Sequence, residues 1–434
     1  MKGPIRVFDK SNKIYERASL SIPLASQTFS KSAINFAKGA SPLFLSSGDG
    51  CFVWDPDGNK YIDYISALLP IILGYNDNDV NAAIVDQLKK GIIFSLPSEI
   101  EYQLAEELVR LIPSAEMVRF GKSGSDVTTA AVRLARAFTG RDHIAVSGYH
   151  GWHDWYIGTT TRDMGVPDDV KNLTTSFRFN NLNDLETLLK LNPNDYAAVI
   201  VEAEGLEEPT IGYLESVRGL TQKYGVLLIF DEIISGFRAS LGGAQQKYGV
   251  VPDLSTFGKG IANGMPLSAI VGRREIMYLM EEIFVSGTFS GEALSIAAAL
   301  ATIKKLTALD GPSLICNYNG KLRCSINSII SRHGLEEIIH LRGPDWWIGL
   351  SITPPPNIDR FLLVTLLRQE LVSCGILIGS TFNVSVSHCS DVILNDTALA
   401  FDTALTALSS YLSSPDPSRY LKGDLIRPVF QVRN

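Results

Sequence analysis

Short apolar runs alternate with amphipathic segments through the middle of the chain, from about residue 70 to residue 305. The runs are short enough for buried strands, and the segments between them have the apolar spacing of helices. The apolar runs are Met117-Val118-Arg119-Phe120, Ile144-Ala145-Val146, Ala198-Val199-Ile200-Val201, Val226 to Phe230 and Leu267-Ser268-Ala269-Ile270-Val271. This alternation predicts an α/β protein whose mostly parallel sheet is covered by helices.

The two ends of the chain have other patterns. The turn signal Asp55-Pro56-Asp57-Gly58-Asn59 separates Cys51-Phe52-Val53-Trp54 from Tyr61-Ile62-Asp63-Tyr64, which predicts a hairpin next to an amino-terminal arm. Beyond about residue 306, longer helical segments and a few strands predict a second, smaller domain. The predicted parts are an arm with part of the small domain at 1–65, a large domain at 66–305 and the carboxyl-terminal small domain at 306–434.

Composition narrows the function classes. The chain is 45% hydrophobic and 20% charged, as is typical of a globular protein, and its net charge of −7 disfavours nucleic-acid and anionic-membrane partners. Its five cysteines are widely spaced, which fits a reducing compartment better than a disulfide framework or a zinc site. The amino terminus lacks the apolar core of a secretory signal, and no apolar stretch reaches the roughly 20 residues of a membrane span. We therefore expect a cytoplasmic protein.

An acid and a lysine stand out within the alternating region. Val226 to Phe230 lead directly into Asp231, and Lys259 lies between Gly258 and Gly260. Open α/β sheets bind ligands at the carboxyl ends of their strands, where Asp231 would lie. Pyridoxal phosphate (PLP) chemistry needs a lysine for the Schiff base and an acid for the pyridinium nitrogen. As alternatives, a lone Asp can be a cap or an ion-pair partner, and a Gly-flanked lysine is usually a surface residue.

Two glycine-containing segments could contact a phosphate. Ser123-Gly124-Ser125 precedes a helix that begins near Asp126 and ends near Gly140, and free N–H groups at a helix start can bind an anion. The alternative is simple N-capping by Ser123 or Ser125. Gly287-Thr288-Phe289-Ser290-Gly291 precedes another helix and offers a second phosphate contact or, again, an ordinary loop and cap. A P-loop is excluded because Glu116 occupies the position that needs glycine.

The segment Tyr149-His150-Gly151-Trp152-His153 follows a predicted strand. An aromatic side chain at a strand end can stack on a cofactor ring, although ordinary core packing is as good an interpretation. His150 and His153 could be metal ligands, but the sequence suggests no third ligand nearby. We therefore expect no metal site.

Taken in order, these segments resemble the class III aminotransferases and, within them, the glutamate-1-semialdehyde 2,1-aminomutases. The resemblance covers the chain from about residue 20 to residue 410. The matching segments are Gly50 to Tyr64, Ser123-Gly124-Ser125-Asp126, Arg133-Leu134-Ala135-Arg136, Thr139-Gly140-Arg141, Tyr149-His150-Gly151, Asp231 to Arg238, Pro252-Asp253-Leu254, Gly258-Lys259 and Gly287 to Gly291.

The resemblance implies an α/β protein of fold type I among the PLP-dependent transferases. The large domain would bind PLP on a mostly parallel, seven-stranded-type sheet beside a smaller α+β domain. A homodimer with shared active sites is also implied. The cofactor would be pyridoxal 5′-phosphate, and the partners would be a small-molecule amino donor and a carbonyl acceptor, with no nucleic acid and no membrane.

Carried over to this sequence, the resemblance gives each candidate residue a role. Lys259 would form the Schiff base and move the substrate proton, and Asp231 would hold the pyridinium proton. Tyr149 would stack on the ring, and Ile233 would pack on its other face. The other residues would bind or support the cofactor, with Ser123, Gly124 and Ser125 at the phosphate, Thr288 reaching it from the partner subunit, and Glu202 beside the site.

Departures from the aminomutase pattern bear on the substrate. Lys31 stands where the aminomutases have an arginine suited to a carboxylate, and it keeps the charge without the bidentate fork. Ala203 follows Glu202 where the aminomutases have proline, although the apolar Ile234 is shared with them. No arginine lies between Gly375 and Leu412, where many ω-transaminases have a carboxylate clamp.

We therefore expect an aminotransferase that uses an amino-acid donor and a small aldehyde, ketone or sugar-like carbonyl acceptor. Trp346 and Trp347 could stack on a sugar, although a position in the core of the small domain is the better interpretation. The alternatives are the intramolecular aminomutase reaction, another PLP reaction such as epimerisation or decarboxylation, and a non-catalytic protein of the same fold. Retention of both Lys259 and Asp231 argues against the last.

Overall fold

The computed structural model describes residues 6–427 and divides them into two compact units. The large unit comprises Leu69–Ile72 and Asn78–Ser313, and the small unit comprises residues 6–68, Leu73–Asp77 and 314–427. None of the helices in the described residues is both long enough and apolar enough to cross a membrane.

Strands and helices alternate along the large unit, whereas the small unit draws its elements from both ends of the described chain. The strands are β1 Ser47–Asp49, β2 Phe52–Trp54, β3 Lys60–Asp63, β4 Met117–Gly121, β5 His143–Ser147, β6 Thr174–Ser176, β7 Tyr196–Val201, β8 Leu227–Asp231, β9 Leu254–Phe257, β10 Ser268–Gly272, β11 Ile339–Arg342, β12 Ile348–Ile352, β13 Ile376–Leu377 and β14 Thr381–Phe382. The helices are α1 Asp9–Ala18, α2 Asn78–Leu88, α3 Glu99–Leu111, α4 Gly124–Thr139, α5 Asp154–Ile157, α6 Asp168–Asn172, α7 Leu182–Leu191, α8 Tyr213–Tyr224, α9 Ala244–Tyr248, α10 Arg274–Met277, α11 Ala293–Leu309, α12 Gly311–Arg332, α13 Arg360–Ser373 and α14 Asp391–Leu412.

The large unit is built on a seven-stranded sheet of order β4-β10-β9-β8-β7-β5-β6. β10 pairs antiparallel with both of its neighbours, and the other strands run in one direction. Alternate residues of β7 face two separate cores, with Ala198 and Ile200 in the one that α4 covers and Val199 and Val201 in the one that α7 and α8 cover. Because helices cover both faces of the sheet, β7 is buried on both sides and its sequence is one continuous apolar run.

Two strands of this sheet were not predicted from apolar runs. β6 is short and polar, and β9 carries Ser255 and Thr256 at buried positions. The Ser255 hydroxyl bonds Ser114 Oγ at 2.9 Å and accepts from Gln245 Nε2 at 3.0 Å. Because such polar side chains are satisfied only by tertiary contacts, the strand lacks an apolar signal in the sequence.

The small unit contains two further sheets, of order β1-β2-β3-β13 and β11-β12-β14. β2 and β3 form the predicted antiparallel hairpin, and the Asn59 N–H donates to the Asp55 carboxylate at 2.8 Å across its turn. Trp346 is buried and stacks on Trp347 with 5.7 Å between ring centroids. The Trp347 indole N–H donates to Asn383 Oδ1 at 2.9 Å, so Trp346 belongs to the core of the small unit and the half-buried Trp347 packs at its margin.

A buried carboxylate, that of Asp253, forms hydrogen bonds at the edge of the large sheet where β8 and β9 begin. Asp253 is 2% exposed and accepts hydrogen bonds from Arg218 at 2.6 and 3.0 Å, from Arg273 at 2.8 Å and from the Leu228 N–H at 2.8 Å. Burial raises the pKa of Asp253, but the hydrogen bonds from these groups outweigh it and lower the pKa below its ordinary value. The Pro252-Asp253-Leu254 motif therefore has a structural explanation.

We expect Asp253→Ala to lower the free energy of unfolding by about 3 kcal/mol, because two guanidinium groups and a backbone N–H lose their acceptor. Urea unfolding at neutral pH measures this loss. Since the pKa of Asp253 is lowered by folding, its contribution is present above the unfolded pKa of about 3.9 and is lost as the pH falls through the folded value. The matched control is Asp86→Ala in the exposed Asp86–Lys89 pair, which should leave the urea midpoint unchanged. Equal effects of the two substitutions would contradict this role.

Candidate active site

The sheet order brings most of the predicted site residues to one edge of the large unit. Asp231 is the last residue of β8, and Lys259 begins a turn shortly after β9. Tyr149 follows β5 and Glu202 follows β7, while Ser123, Gly124 and Ser125 connect β4 to α4. Since these strands are parallel, their carboxyl ends meet at the same edge, where open α/β sheets bind ligands.

Asp231 is buried, with 4% of its surface exposed, and is held by three donors. Its Oδ1 accepts from the Ile233 N–H at 3.1 Å and from Thr256 Oγ1 at 3.2 Å, and its Oδ2 lies 2.8 Å from His150 Nδ1. An ionised carboxylate is stable away from water only when donors surround it in this way. Asp231 is therefore a buried carboxyl group rather than a helix cap, and its contact with His150 is an ion pair when the ring is protonated.

His150 and Thr256 are site residues that the sequence analysis missed. His150 had been considered only as a metal ligand, and Thr256 lies in the strand that was not predicted. His150 and His153 have different partners, because His150 bonds Asp231 whereas His153 Nδ1 lies 2.7 Å from Thr129 Oγ1. The missing signal is the order of the strands, which places the loop after β5 beside the end of β8 and cannot be read from local spacing.

Lys259 is not the surface residue that its flanking glycines alone would suggest. It begins a 3₁₀ turn, Lys259–Ala262, with φ of 43°, and the residue is half-buried. Burial lowers the pKa of Lys259 to about 8, although the carboxylates of Glu202 and Asp231 oppose the shift and the Arg238 guanidinium adds to it. At neutral pH a much larger fraction of this amine is therefore neutral, and so nucleophilic, than in an ordinary lysine.

Glu202 supports the loop that carries Tyr149. The Tyr149 N–H donates to Glu202 Oε2 at 3.1 Å, and the preceding Gly148 has φ of 111°. A Cβ at Gly148 would lie 2.6 Å from Glu202 Oε2, so only glycine allows the loop to pass this close. Burial raises the pKa of Glu202, and the nearby Asp231 raises it further. The Tyr149 ring is 42% exposed and meets Tyr156 edge-on at 5.5 Å.

The start of α4 combines the two alternatives considered for Ser123-Gly124-Ser125. Ser123 is the N-cap, with Oγ accepting from the Asp126 N–H at 3.3 Å, while Asp126 Oδ2 accepts from the Ser123 N–H at 2.7 Å. Ser125 is buried and accepts from the Trp152 N–H at 3.2 Å instead. This cap does not engage the N–H groups of Gly124 and Ser125, which have no intrahelical partner at a helix start and can face an anion.

Thr288 occupies an exposed loop before α11. The loop is held from α4 and β4, because Arg133 donates to the Phe284 carbonyl at 2.9 Å and Arg119 donates to the Val285 carbonyl at 2.9 Å. Thr288 shares a surface groove with Lys122 there. Among the described hydrogen bonds, none joins Thr288 to Asp231 or to the cap of α4, although Asp126 of that cap lines the same groove.

The residues at this edge fit PLP. The site offers a carboxylate for a ring nitrogen, an amine of lowered pKa for an aldehyde, and N–H and hydroxyl groups for a phosphate. Ile233 also presents an apolar surface, because a Cβ at Gly124 would lie 3.2 Å from its Cδ1 and one at Gly258 would lie 3.0 Å from the same atom. Gly124, next to Ser123, and Gly258, next to Lys259, thus leave the space that the Ile233 side chain occupies.

A lysine and a buried aspartate at the carboxyl edge of such a sheet define a PLP-dependent enzyme of fold type I. The family model for class-III aminotransferases matches residues 35–399, and the chain belongs to this family. It is similar to the FumI protein of Sphingopyxis sp. MTA144, solved in its PLP internal aldimine form, with a TM-score of 0.87, 28% identity and coverage of 95% of this chain and 99% of that one. The predicted fold, enzyme class and cofactor are thereby confirmed.

Two curated relatives bear different activity names. The chain is 39% identical over 320 residues to the 3-aminobutyryl-CoA aminotransferase of Cloacimonas acidaminovorans (strain Evry), covering 72% of this chain and 76% of the relative. It is 41% identical over 315 residues to the glutamate-1-semialdehyde 2,1-aminomutase of Syntrophomonas wolfei subsp. wolfei (strain DSM 2245B / Goettingen), covering 68% of this chain and 73% of the relative. One of the two relatives is thus named as an aminotransferase and the other as an aminomutase.

The lowered pKa of Lys259 generates a prediction for the cofactor-free protein. When PLP is added and the product is trapped with borohydride, we expect the rate of trapping to rise with pH about a midpoint near 8, because only the neutral amine attacks an aldehyde. Peptide mass spectrometry measures the label on Lys259 at each pH. Lys259→Ala should remove that label, and a midpoint near an ordinary lysine pKa of about 10.4 would show that burial does not tune this amine.

Proposed function

We propose that the enzyme moves an amino group from an amino-acid donor to a small aldehyde or ketone acceptor in two half-reactions at this one site. The observation that carries the proposal is the placement of Lys259, with its lowered pKa, beside the carboxylates of Asp231 and Glu202. An amine close to its neutral form can bond the cofactor, give way to a substrate amine and then act as a base near neutral pH.

Bound PLP would supply an electron sink that stabilises negative charge on the carbon that carries the amine. We assign Lys259 the task of binding the cofactor and then of taking and returning the proton at that carbon. Asp231 would hold the proton of the pyridine nitrogen, and Tyr149 and Ile233 would pack against the ring. Ser123, Gly124 and Ser125 would bind the phosphate through hydroxyl and N–H groups, with Glu202 supporting the Tyr149 loop.

A homodimer with shared active sites is part of this proposal. Thr288 would bind the phosphate of the partner subunit's cofactor, which agrees with its exposed loop. The large unit also leaves Ile92, Ile93 and Phe94 between 42% and 47% exposed and Leu96 78% exposed. Neighbouring apolar side chains exposed to this extent favour a protein interface.

The acceptor is proposed from what the chain lacks as well as from its relatives. Lys31 replaces the arginine of the aminomutase pattern, which weakens the match to the semialdehyde carboxylate.

Glu204 accepts hydrogen bonds within the large unit from Lys247 at 2.6 Å and Tyr248 at 2.7 Å, so the second acid of Glu202-Ala203-Glu204 has a structural role. Because Trp346 is buried and Trp347 is half-buried, the pair gives less support to a sugar-like acceptor than to a small aldehyde or ketone. The relative named for 3-aminobutyryl-CoA favours substrates whose amine lies β to an acyl group.

The test is the visible absorbance of the PLP-loaded enzyme during each half-reaction. Adding L-glutamate, L-alanine or 3-aminobutyryl-CoA alone should bleach the band, and a small aldehyde, pyruvate or 3-oxobutyryl-CoA should then restore it. Lys259→Ala should show neither change at a comparable rate. A band that no donor bleaches, together with turnover of glutamate-1-semialdehyde as the only substrate, would replace this proposal with the aminomutase reaction.

A further inference from the structure

We propose that Arg238 and Asn263 are positioning residues for the Lys259 amine, and that they act through a strap of four residues, Leu69–Ile72, which both of them bind. The proposal rests on the role assigned to Lys259 and does not depend on which acceptor the enzyme uses. The strap belongs to the large unit, although the residues on either side of it in the sequence belong to the small unit. It is therefore a short piece of the amino-terminal chain that packs with the elements of the large unit.

The strap contacts the turn that Lys259 begins. The Ile72 N–H donates to Asn263 Oδ1 at 3.0 Å, and Asn263 caps the carboxyl end of this turn. Gly260, the residue after Lys259, lies so close to the strap that an added Cβ would be 3.2 Å from Ile72 Cδ1. The strap thus holds the turn at both ends, through a hydrogen bond at Asn263 and through close packing at Gly260.

Lys259 needs such support because its backbone conformation is unfavourable. Its φ of 43° and the φ of 44° at Asn263 lie in the left-handed region, which a lysine rarely adopts and an asparagine tolerates. A strained residue keeps such a conformation only where the surrounding contacts hold it. The strap supplies contacts of this kind, and they determine the direction in which the Lys259 side chain leaves the turn.

Arg238 holds the strap from the turns that follow β8. Its guanidinium is buried and donates from Nη2 to the Leu69 carbonyl at 2.7 Å and to the Ile71 carbonyl at 3.2 Å. Leu69 has φ of 84°, so a second left-handed residue is held here by a bond to its carbonyl. Arg238, the strap and Asn263 therefore form a continuous path of contacts from the end of β8 to the Lys259 turn.

The place of Arg238 also matters for charge. The groups that act on the Lys259 amine are the carboxyl groups of Glu202 and Asp231, which favour its protonated form, and the Arg238 guanidinium, which favours its neutral form. Of these three groups, only Arg238 is a cation. Its removal should therefore raise the pKa of Lys259, whereas a looser strap with the same charges should leave that pKa unchanged.

The test measures borohydride trapping of added PLP on Lys259 in the full-length, cofactor-free protein as a function of pH. Arg238→Met removes the charge and both hydrogen bonds, whereas Arg238→Lys keeps the charge. Asn263→Gly adopts the left-handed backbone without strain and removes only the acceptor for the strap. The matched control is Arg141→Met, because Arg141 also donates to backbone carbonyls, at 3.1 to 3.2 Å, but at the edge of the sheet where β7 and β8 begin. Thermal unfolding of each variant reports structural damage separately.

We expect Arg238→Met to raise the midpoint of trapping by about one pH unit, and Arg238→Lys to keep it near the wild-type value, since a nearby cation opposes protonation of the amine. Asn263→Gly should keep the wild-type midpoint but lower the rate of trapping at every pH by about fivefold or more, because the amine is no longer held in one place. Arg141→Met should keep the wild-type midpoint and rate even if it unfolds at a lower temperature.

Loss of thermal stability in the Arg238 and Asn263 variants with wild-type midpoints and rates would show two merely structural residues and overturn the proposal. A wild-type protein that traps no PLP on Lys259 would overturn the role of Lys259 together with this proposal. Trapping as expected in an enzyme that transfers no amino group would overturn only the proposed function.

Discussion

The buried carboxylate of Asp231 sets the requirement that the rest of this edge of the sheet meets. A charge so far from water needs several donors, and each of its donors comes from a different part of the large unit. Thr256 lies opposite Asp231 in the register of β8 and β9, and the Ile233 N–H belongs to the turn after β8. His150 comes from the loop after β5, although β7 separates β5 from β8 in the sheet. That loop must therefore cross the end of β7, where Glu202 lies, and Gly148 is the residue that permits the crossing.

The same arrangement sets the pKa of the Lys259 amine. Burial alone would favour the neutral amine, as it does for lysines in apolar sites, and the Arg238 guanidinium acts in the same direction. Arg238 is itself buried and donates to the carbonyls of Leu69 and Ile71, so its charge is fixed in place. The carboxylates of Asp231 and Glu202 oppose both effects and keep the pKa at about 8. Near that value the amine exchanges a proton readily in either direction, which a reaction that removes and returns a proton requires.

The sequence predicts the parts of this protein that depend on local pattern, and it fails where the reason is tertiary. Strands with continuous apolar runs, the hairpin of β2 and β3, and the capped helix after Ser123 were all predicted. β9 was missed because Ser255 and Thr256 are buried by partners distant in the chain. His150 was missed because only the strand order places it beside Asp231. The two interpretations of Ser123, as a helix cap and as part of a phosphate site, do not exclude each other. One helix start can be capped by a side chain and still leave N–H groups for an anion. The roles assigned to Lys259, Asp231, Thr288 and the other site residues remain predictions.

Two buried aspartates of the family motifs, Asp231 and Asp253, have very different partners. They lie at opposite edges of the same sheet, near the end of β8 and the start of β9. Asp253 is neutralised by two arginines, whose charges do not change at any physiological pH, so it has no capacity to respond to a ligand. Asp231 is held instead by a hydroxyl, a backbone N–H and the ring of His150, with no guanidinium group of the described residues in contact. A carboxylate held by such partners can share its charge with a cofactor nitrogen, whereas one saturated by guanidinium groups cannot. This difference between two similar sequence motifs is visible only after the chain has folded.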